Sequence, residues 1–295
     1  MVKDFKWRVS KKHAGMRLLQ FLRENCPEAP SVKMIKRAID SKLCTVNHRT
    51  ETFSSYTLSE NDTVVLRSCA FDQPKETNAV KVPVLYEDKE ILIVNKPAGL
   101  ISDNKSLKAC FPDHKNLELA HRLDKETTGV LILAKTAKAK EKMVALFKER
   151  AIRKLYLALV DGVVAKDEGT VDNFLGKKST FQGQTVYGAV DRKEGQRALT
   201  YWQCLKRGAS ASVMRCEPFT GRTHQLRVHL SAMGHPILGD TQYGKKFVCR
   251  LRPQRNLLHA YSVVFTHPTS GEEIKVIAPI PLDFKEALAD LKISL

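Results

Sequence analysis

Residues 121–134 read His121-Arg122-Leu123-Asp124-Lys125-Glu126-Thr127-Thr128-Gly129-Val130-Leu131-Ile132-Leu133-Ala134. The last five are apolar without a break, the pattern of a short strand buried on both faces. Those before them are crowded with polar groups. A polar loop at the mouth of a buried strand is a common place for binding and catalytic side chains. The bland alternative is a turn in which Asp124 caps backbone N–H groups. This segment taken alone does not choose between the two.

Outward from it, Glu90 to Val94 reads as a strand entering the loop Asn95-Lys96-Pro97-Ala98-Gly99. Lys138 to Arg150 reads as a helix with Met143, Leu146 and Phe147 inward. Leu155–Val160, Ala198–Leu205 and Ser212–Cys216 read as strands, and Thr223–Met233 as a helix ended by Gly234. His259–Phe265 and Glu273–Ala278 flank Thr269-Ser270-Gly271 as a hairpin. Strands outnumber helices, so residues 81–295 are expected to form one α+β domain on a large, mostly antiparallel sheet.

Ahead of it, residues 1–12 look like a basic arm, residues 13–72 like a small α+β module, and residues 73–80, polar and with a proline, like a linker. The module starts with a helix over Gly15–Leu22. Ser31 caps the next helix, which runs to Asp40. On that helix Val32, Ile35 and Ile39 mark a buried stripe, while Lys33, Lys36 and Arg37 share another face. Leu43–Val46 and Asp62–Leu66 read as strands, with Asn47-His48 a turn after the first.

The formal net charge of +17 points to a polyanionic partner, with nucleic acid first among them. Seven cysteines carry no CxxC spacing, which speaks against a disulfide framework or zinc site and for reduced thiols in the cytoplasm. No apolar run approaches bilayer length, so no membrane partner is expected.

Two further segments look over-specified for packing alone. In Thr220-Gly221-Arg222-Thr223-His224-Gln225-Leu226-Arg227-Val228-His229-Leu230, one helical stripe is Leu226, Leu230 and Met233; another is His224, Arg227 and Ser231. That is a packing face opposite a face of donors, or simply a solvated basic helix. His224 and His229 are five apart, not the four that would put two zinc ligands on one face. In Arg153–Val160, Tyr156 places a hydroxyl inside an apolar strand, as a core tyrosine also would. The chain has no GxxxxGK[ST], GxGxxG or GxSxG, which argues against nucleotide hydrolysis, dinucleotide chemistry and serine hydrolases.

Together these segments resemble the RluA-type pseudouridine synthases over almost the whole chain. His121-Arg122-Leu123-Asp124 with Thr127-Thr128-Gly129 is similar to the family's HRLDxxTSG signature, Thr128 standing for the usual serine. Gly221–His229, Gly234–Asp240, Leu257–Ala260, His267-Pro268, and Tyr86-Glu87-Asp88 with Asn95–Gly99 match further family blocks in order. Residues 13–72 more loosely resemble an S4 RNA-binding domain: Lys42 and His48 stand where that pattern has turn glycines, and Leu19 where it has an aspartate.

The resemblance implies an enzyme that isomerises uridine in RNA, with large-subunit ribosomal RNA as the expected substrate, without metal, redox group or nucleotide cofactor. It implies Asp124 as the catalytic carboxylate, Arg227 as its ionic partner and Tyr156 against the target base. Leu258 then lines the pocket, and Arg122 helps fill the gap left by a flipped base. Arg222, His224, Lys33, Lys36 and Arg37 are the expected RNA contacts of a cytoplasmic monomer. Transfer RNA as substrate, a non-catalytic RNA-binding or ribosome-assembly protein, and a metal-dependent nuclease are the rival readings. The last lacks clustered carboxylates or histidines at ligand spacing.

Overall fold

The structure, a computed structural model, describes residues 4–26, 31–67, 81–114, 116–181, 184–244 and 246–295, without the side chains of Lys33 and Phe181. The expected linker, residues 73–80, lies outside the described residues. Two compact units divide the chain, one of Met1–Asn78 with Ser179–Val186, the other of Ala79–Lys178 with Tyr187–Leu295.

In the first unit, β1 (Phe5–Arg8), β4 (Thr63–Leu66), β2 (Cys44–Val46) and β3 (Arg49–Thr50) form a sheet in that order. Helices α1 (Leu18–Asn25) and α2 (Val32–Asp40) share its core, where Phe21, Leu22, Ile35, Ile39, Val64 and Leu66 are buried. The expected arm over residues 1–12 is corrected here: Phe5 to Arg8 pair with Leu66 to Thr63 as an antiparallel edge strand. The alternation Phe5-Lys6-Trp7-Arg8 carries the reason, since Phe5 and Trp7 pack on the core while Lys6 and Arg8 stay exposed. Helix α1 begins later than expected, because Gly15 takes a left-handed φ of 85° and Arg17 bridges to Thr57. Ser31 caps α2 as expected, accepting from the Met34 N–H at 3.3 Å.

The second unit is mixed α+β. Its described strands run β11 (Gln184–Ala189) and β10 (Glu168–Phe181), each in this unit only outside residues 179–186, then β12 (Gln196–Arg207), β13 (Ala211–Pro218), β9 (Arg153–Asp161), β14 (Leu258–Thr266), β8 (Thr128–Ala134), β6 (Ile91–Lys96), β5 (Val84–Glu87). Two short strands, β15 (Glu273–Ile277) and β7 (Glu118–Leu119), pair with β14 and β8. From β10 to β5 the neighbours pair antiparallel, except β14 with β8, which are parallel. Strand β8 is buried along its whole length, as its apolar run requires. Gly129 makes the parallel contact possible: its φ is 109°, and a Cβ there would lie 2.2 Å from the Ala260 carbonyl oxygen. Helices α3 (Asn104–Cys110), α4 (Ala137–Lys148), α5 (Gln225–Ala232) and α6 (Leu282–Asp290) complete the unit. Among the described residues, no helix is long and apolar enough to cross a membrane.

Candidate active site

Asp124 stands on the loop that feeds β8, and buried cations anchor that loop from below. Lys96, fully buried at the end of β6, donates from Nζ to the carbonyls of Pro97 (2.9 Å), Leu100 (2.8 Å) and Lys125 (2.9 Å). Three acceptors match the three N–H bonds of an ammonium. Burial nonetheless pushes its pKa down to about 7, against the pull of the Glu126 and Asp124 carboxylates. Arg255, also buried, binds Asp283 through Nε (2.6 Å) and Nη2 (2.9 Å) and donates from Nη1 to the Glu126 carbonyl at 3.2 Å. His121 turns away from the site and accepts from the Ile132 N–H at 3.0 Å. Thr128 Oγ1 meets His259 Nδ1 at 2.9 Å, so the threonine serves where the family pattern has serine.

Helix α5 supplies the facing cation. It is buried from Gln225 to Leu230, so the solvated-helix alternative is overturned. The helix starts at Gln225 rather than Thr223 because His224 is left-handed, at φ 56° and ψ 19°. Arg227 donates from Nη1 to Asp124 Oδ2 at 3.3 Å, across 103 residues of chain. Its closer partner is Asp240, reached from Nε (2.7 Å) and Nη2 (3.0 Å), with Gln242 Oε1 at 2.9 Å and the Tyr243 ring 4.9 Å below. Burial opposes the Arg227 charge. The Asp240 hydrogen bonds and charge, with Asp124 behind them, more than reverse that and raise its pKa.

Tyr156, on β9, is half-buried, and burial followed by the negative charge of Asp124 raises its pKa, so it carries its proton. Its hydroxyl has no hydrogen-bond partner among the described residues. Leu258 is buried on β14; it faces Ala158 while Ala260 faces Tyr156, which makes Leu258 a diagonal neighbour of the tyrosine on one sheet face. His224 Nε2 lies 4.0 Å from Asp124 Oδ2. Arg222 is tied to β12 through Gln196 and the Arg197 carbonyl, and Arg122 is exposed beside Asp124 in sequence. Thus Asp124, Arg227, Tyr156 and His224 gather in one place.

Lys36 and Arg37 are exposed on α2 in the other unit, and the Lys33 side chain lies outside the described residues. Sequence reasoning did not single out Asp240, Tyr243, Lys96 or Arg255 as parts of the site. The signal available for Asp240 was its place directly after Gly239 in a matched block. Among the described residues no three His, Cys, Asp or Glu side chains gather as a metal centre would need.

Residues 90–232 match the family model described as RNA pseudouridylate synthase. An uncharacterized RNA pseudouridine synthase of Synechocystis is 32% identical over 96% of this chain and 91% of its own. The chain belongs to the RluA-type pseudouridine synthases. Within that family, the ribosomal large subunit pseudouridine synthase C of Escherichia coli is 32% identical, over 96% of this chain and 95% of its own. Among solved structures, human RNA Pseudouridylate Synthase Domain Containing 4 superposes with a TM-score of 0.60 at 30% identity, over 72% of this chain and 94% of that one. The chain is therefore an RNA pseudouridine synthase, an isomerase on a mostly antiparallel α+β framework.

Proposed function

We propose that this pseudouridine synthase modifies uridine in large-subunit ribosomal RNA, with Asp124 as its catalytic carboxylate. The observation that carries the reading is the grip on Asp124: Arg227 holds one of its oxygens, beside a protonated Tyr156. The N1–C1′ bond breaks, the uracil turns, and C5 joins C1′ while C5 gives up a proton and N1 gains one. The change balances within the nucleotide, so the reading calls on no redox group, metal or nucleotide cofactor.

Each side chain then has a task. Arg227 pairs with Asp124 and orients it. Tyr156 lies against the base and assists the proton transfer at C5. Leu258 lines the pocket, Arg122 fills the gap the base leaves in its stack, and Arg222 and His224 contact the nucleotide. Flipping the base costs roughly a few kcal/mol, which cationic contacts to phosphate help offset. Residues 13–72 act as an S4-like RNA anchor through Lys33, Lys36 and Arg37. The enzyme works as a cytoplasmic monomer. The ribosomal substrate is supported by the names of relatives that span nearly the full chain, and by the value of a second basic module on a large folded RNA.

The test gives the pure enzyme equal amounts of unmodified large-subunit ribosomal RNA and transfer RNA. Pseudouridine is expected in the ribosomal RNA; its appearance in transfer RNA alone would overturn the substrate. Asp124→Asn is expected to keep the circular dichroism spectrum and form no pseudouridine, and substantial turnover would remove Asp124 from its role.

A further inference from the structure

Tyr243 lies under the site without touching Asp124, and both of its ends are used. Its ring carries the Arg227 guanidinium at 4.9 Å. Its hydroxyl sits between two nitrogens: the backbone N–H of Tyr187, on β11, donates to it at 3.1 Å, and His224 Nδ1 lies 2.8 Å away. The Tyr187 ring meets the His224 ring edge-on at 5.8 Å. The backbone around Tyr243 is fixed as well. Its N–H donates to Asp240 Oδ1 at 3.1 Å, and its carbonyl accepts from Ser231 Oγ at 2.9 Å.

These contacts favour one placement of a proton. The phenol oxygen already receives the Tyr187 N–H, so its own hydrogen is free to go to His224 Nδ1. An imidazole that accepts at Nδ1 carries its proton at Nε2 when neutral. Burial first of all keeps His224 neutral, lowering its pKa against the pull of Asp124. The Nε2–H then lies 4.0 Å from Asp124 Oδ2, the same oxygen that Arg227 holds at 3.3 Å. The other oxygen, Oδ1, has no partner among the described residues.

We propose that Tyr243 is a positioning residue that locks His224 as its Nε2–H tautomer, so that His224 and Arg227 both bear on Oδ2 of Asp124 and Oδ1 is left as the atom that reacts. This rests on Asp124 being the catalytic carboxylate. The left-handed backbone of His224 is consistent with the assignment, because residues with a β-carbon held in that conformation cluster at functional sites.

The experiment labels the full-length enzyme with nitrogen-15 histidine and records long-range proton–nitrogen correlations, with His224 assigned by the loss of its signals in His224→Gln. At neutral pH the Nε2 nitrogen is expected protonated and Nδ1 bare; an Nδ1–H form would overturn the inference. In Tyr243→Phe the Nδ1–H form should appear. There kcat should fall roughly tenfold, the equivalent of one hydrogen bond, while KM for RNA stays nearly constant. An unchanged kcat would also overturn it. A second comparison separates chemistry from folding. Asparagine suits the left-handed backbone better than glutamine, but only the glutamine amide reaches the place of Nε2–H. His224→Gln is therefore expected to be the more active variant, although His224→Asn is the more stable. The reverse order of activity would count against the role of Nε2. An active Asp124→Asn enzyme would instead remove the catalytic reading and leave the tautomer measurement standing.

Discussion

Arg227 divides one guanidinium between two carboxylates of different exposure. The Asp240 side chain is 1% exposed and takes the bidentate bond, whereas Asp124 is 28% exposed and takes a single longer contact. Arg227→Ala thus strands the Asp240 charge in the interior, and the expected loss is about 3–5 kcal/mol of stability, read by urea denaturation, together with activity. Arg227→Lys keeps the charge but not the planar fork, so neither stability nor activity should return fully. Wild-type stability in Arg227→Ala would contradict the double pairing. Much of this was legible in advance: Asp124, Tyr156 and Arg227 stand out by motif, and they do converge. Asp240 was not, because a bidentate partner thirteen residues away is chosen by the turn after Ile237-Leu238, not by helical spacing.

At the level of elements, the hairpin β2–β3 turns through Asn47 and His48, both left-handed, at φ 50° and 64°. Two such residues in a two-residue turn describe type I′, for which Asn-Gly is the favoured sequence. His48→Gly should therefore raise the stability of the first unit by about 1 kcal/mol, seen as a higher thermal midpoint; a lower midpoint would show that the His48 side chain contributes a compensating contact. The same comparison shows where sequence reading works. Buried strands such as β8 announce themselves by unbroken apolar runs. The hairpin of β10 and β11 escaped it, since Glu168-Gly169-Thr170-Val171-Asp172-Asn173 lies near the sheet margin, where no apolar periodicity is required. Strand β1 escaped for another reason: four residues of alternation inside a basic stretch look like a solvated arm until a partner strand is known.

For the molecule as a whole, buried histidines set the acid limit. His229 on α5 and His259 on β14 are nearly inaccessible, and burial brings each pKa down to about 4. Each ring is held neutral, His229 between Thr200 and Asn173, His259 between Thr128 and the Ala278 carbonyl. An unfolded histidine takes its proton near pH 6.5, so below that pH the unfolded chain binds protons the folded one refuses. Stability is full above about pH 6.5 and falls by about 1.4 kcal/mol per pH unit for each ring down to about pH 4. Urea midpoints between about pH 7 and about pH 5 should fall accordingly, and His229→Gln should flatten the slope; a level profile would refute this. Charge acts at the same scale. Lys36→Glu with Arg37→Glu should weaken RNA affinity and lower the salt slope by about 0.7–0.9 per lost phosphate contact, while saturated kcat holds. Unchanged affinity and slope would remove the proposed anchor on α2.

The place of β14 has a consequence for how the enzyme comes into being. Its residues, 258–266, lie between β9 and β8 in the middle of the sheet, yet they leave the ribosome long after both neighbours. Until then β8 and β9 each present an unpaired edge, and Asp124 and Tyr156 sit on opposite sides of an empty slot. A chain made from its N-terminus must hold these halves apart, sticky and inactive, from the completion of β9 at residue 161 until residue 258 is made. Strand β14, with only β15 of the described strands still to follow, then wedges in as a keystone and joins the halves that carry Asp124 and Tyr156 in a single step.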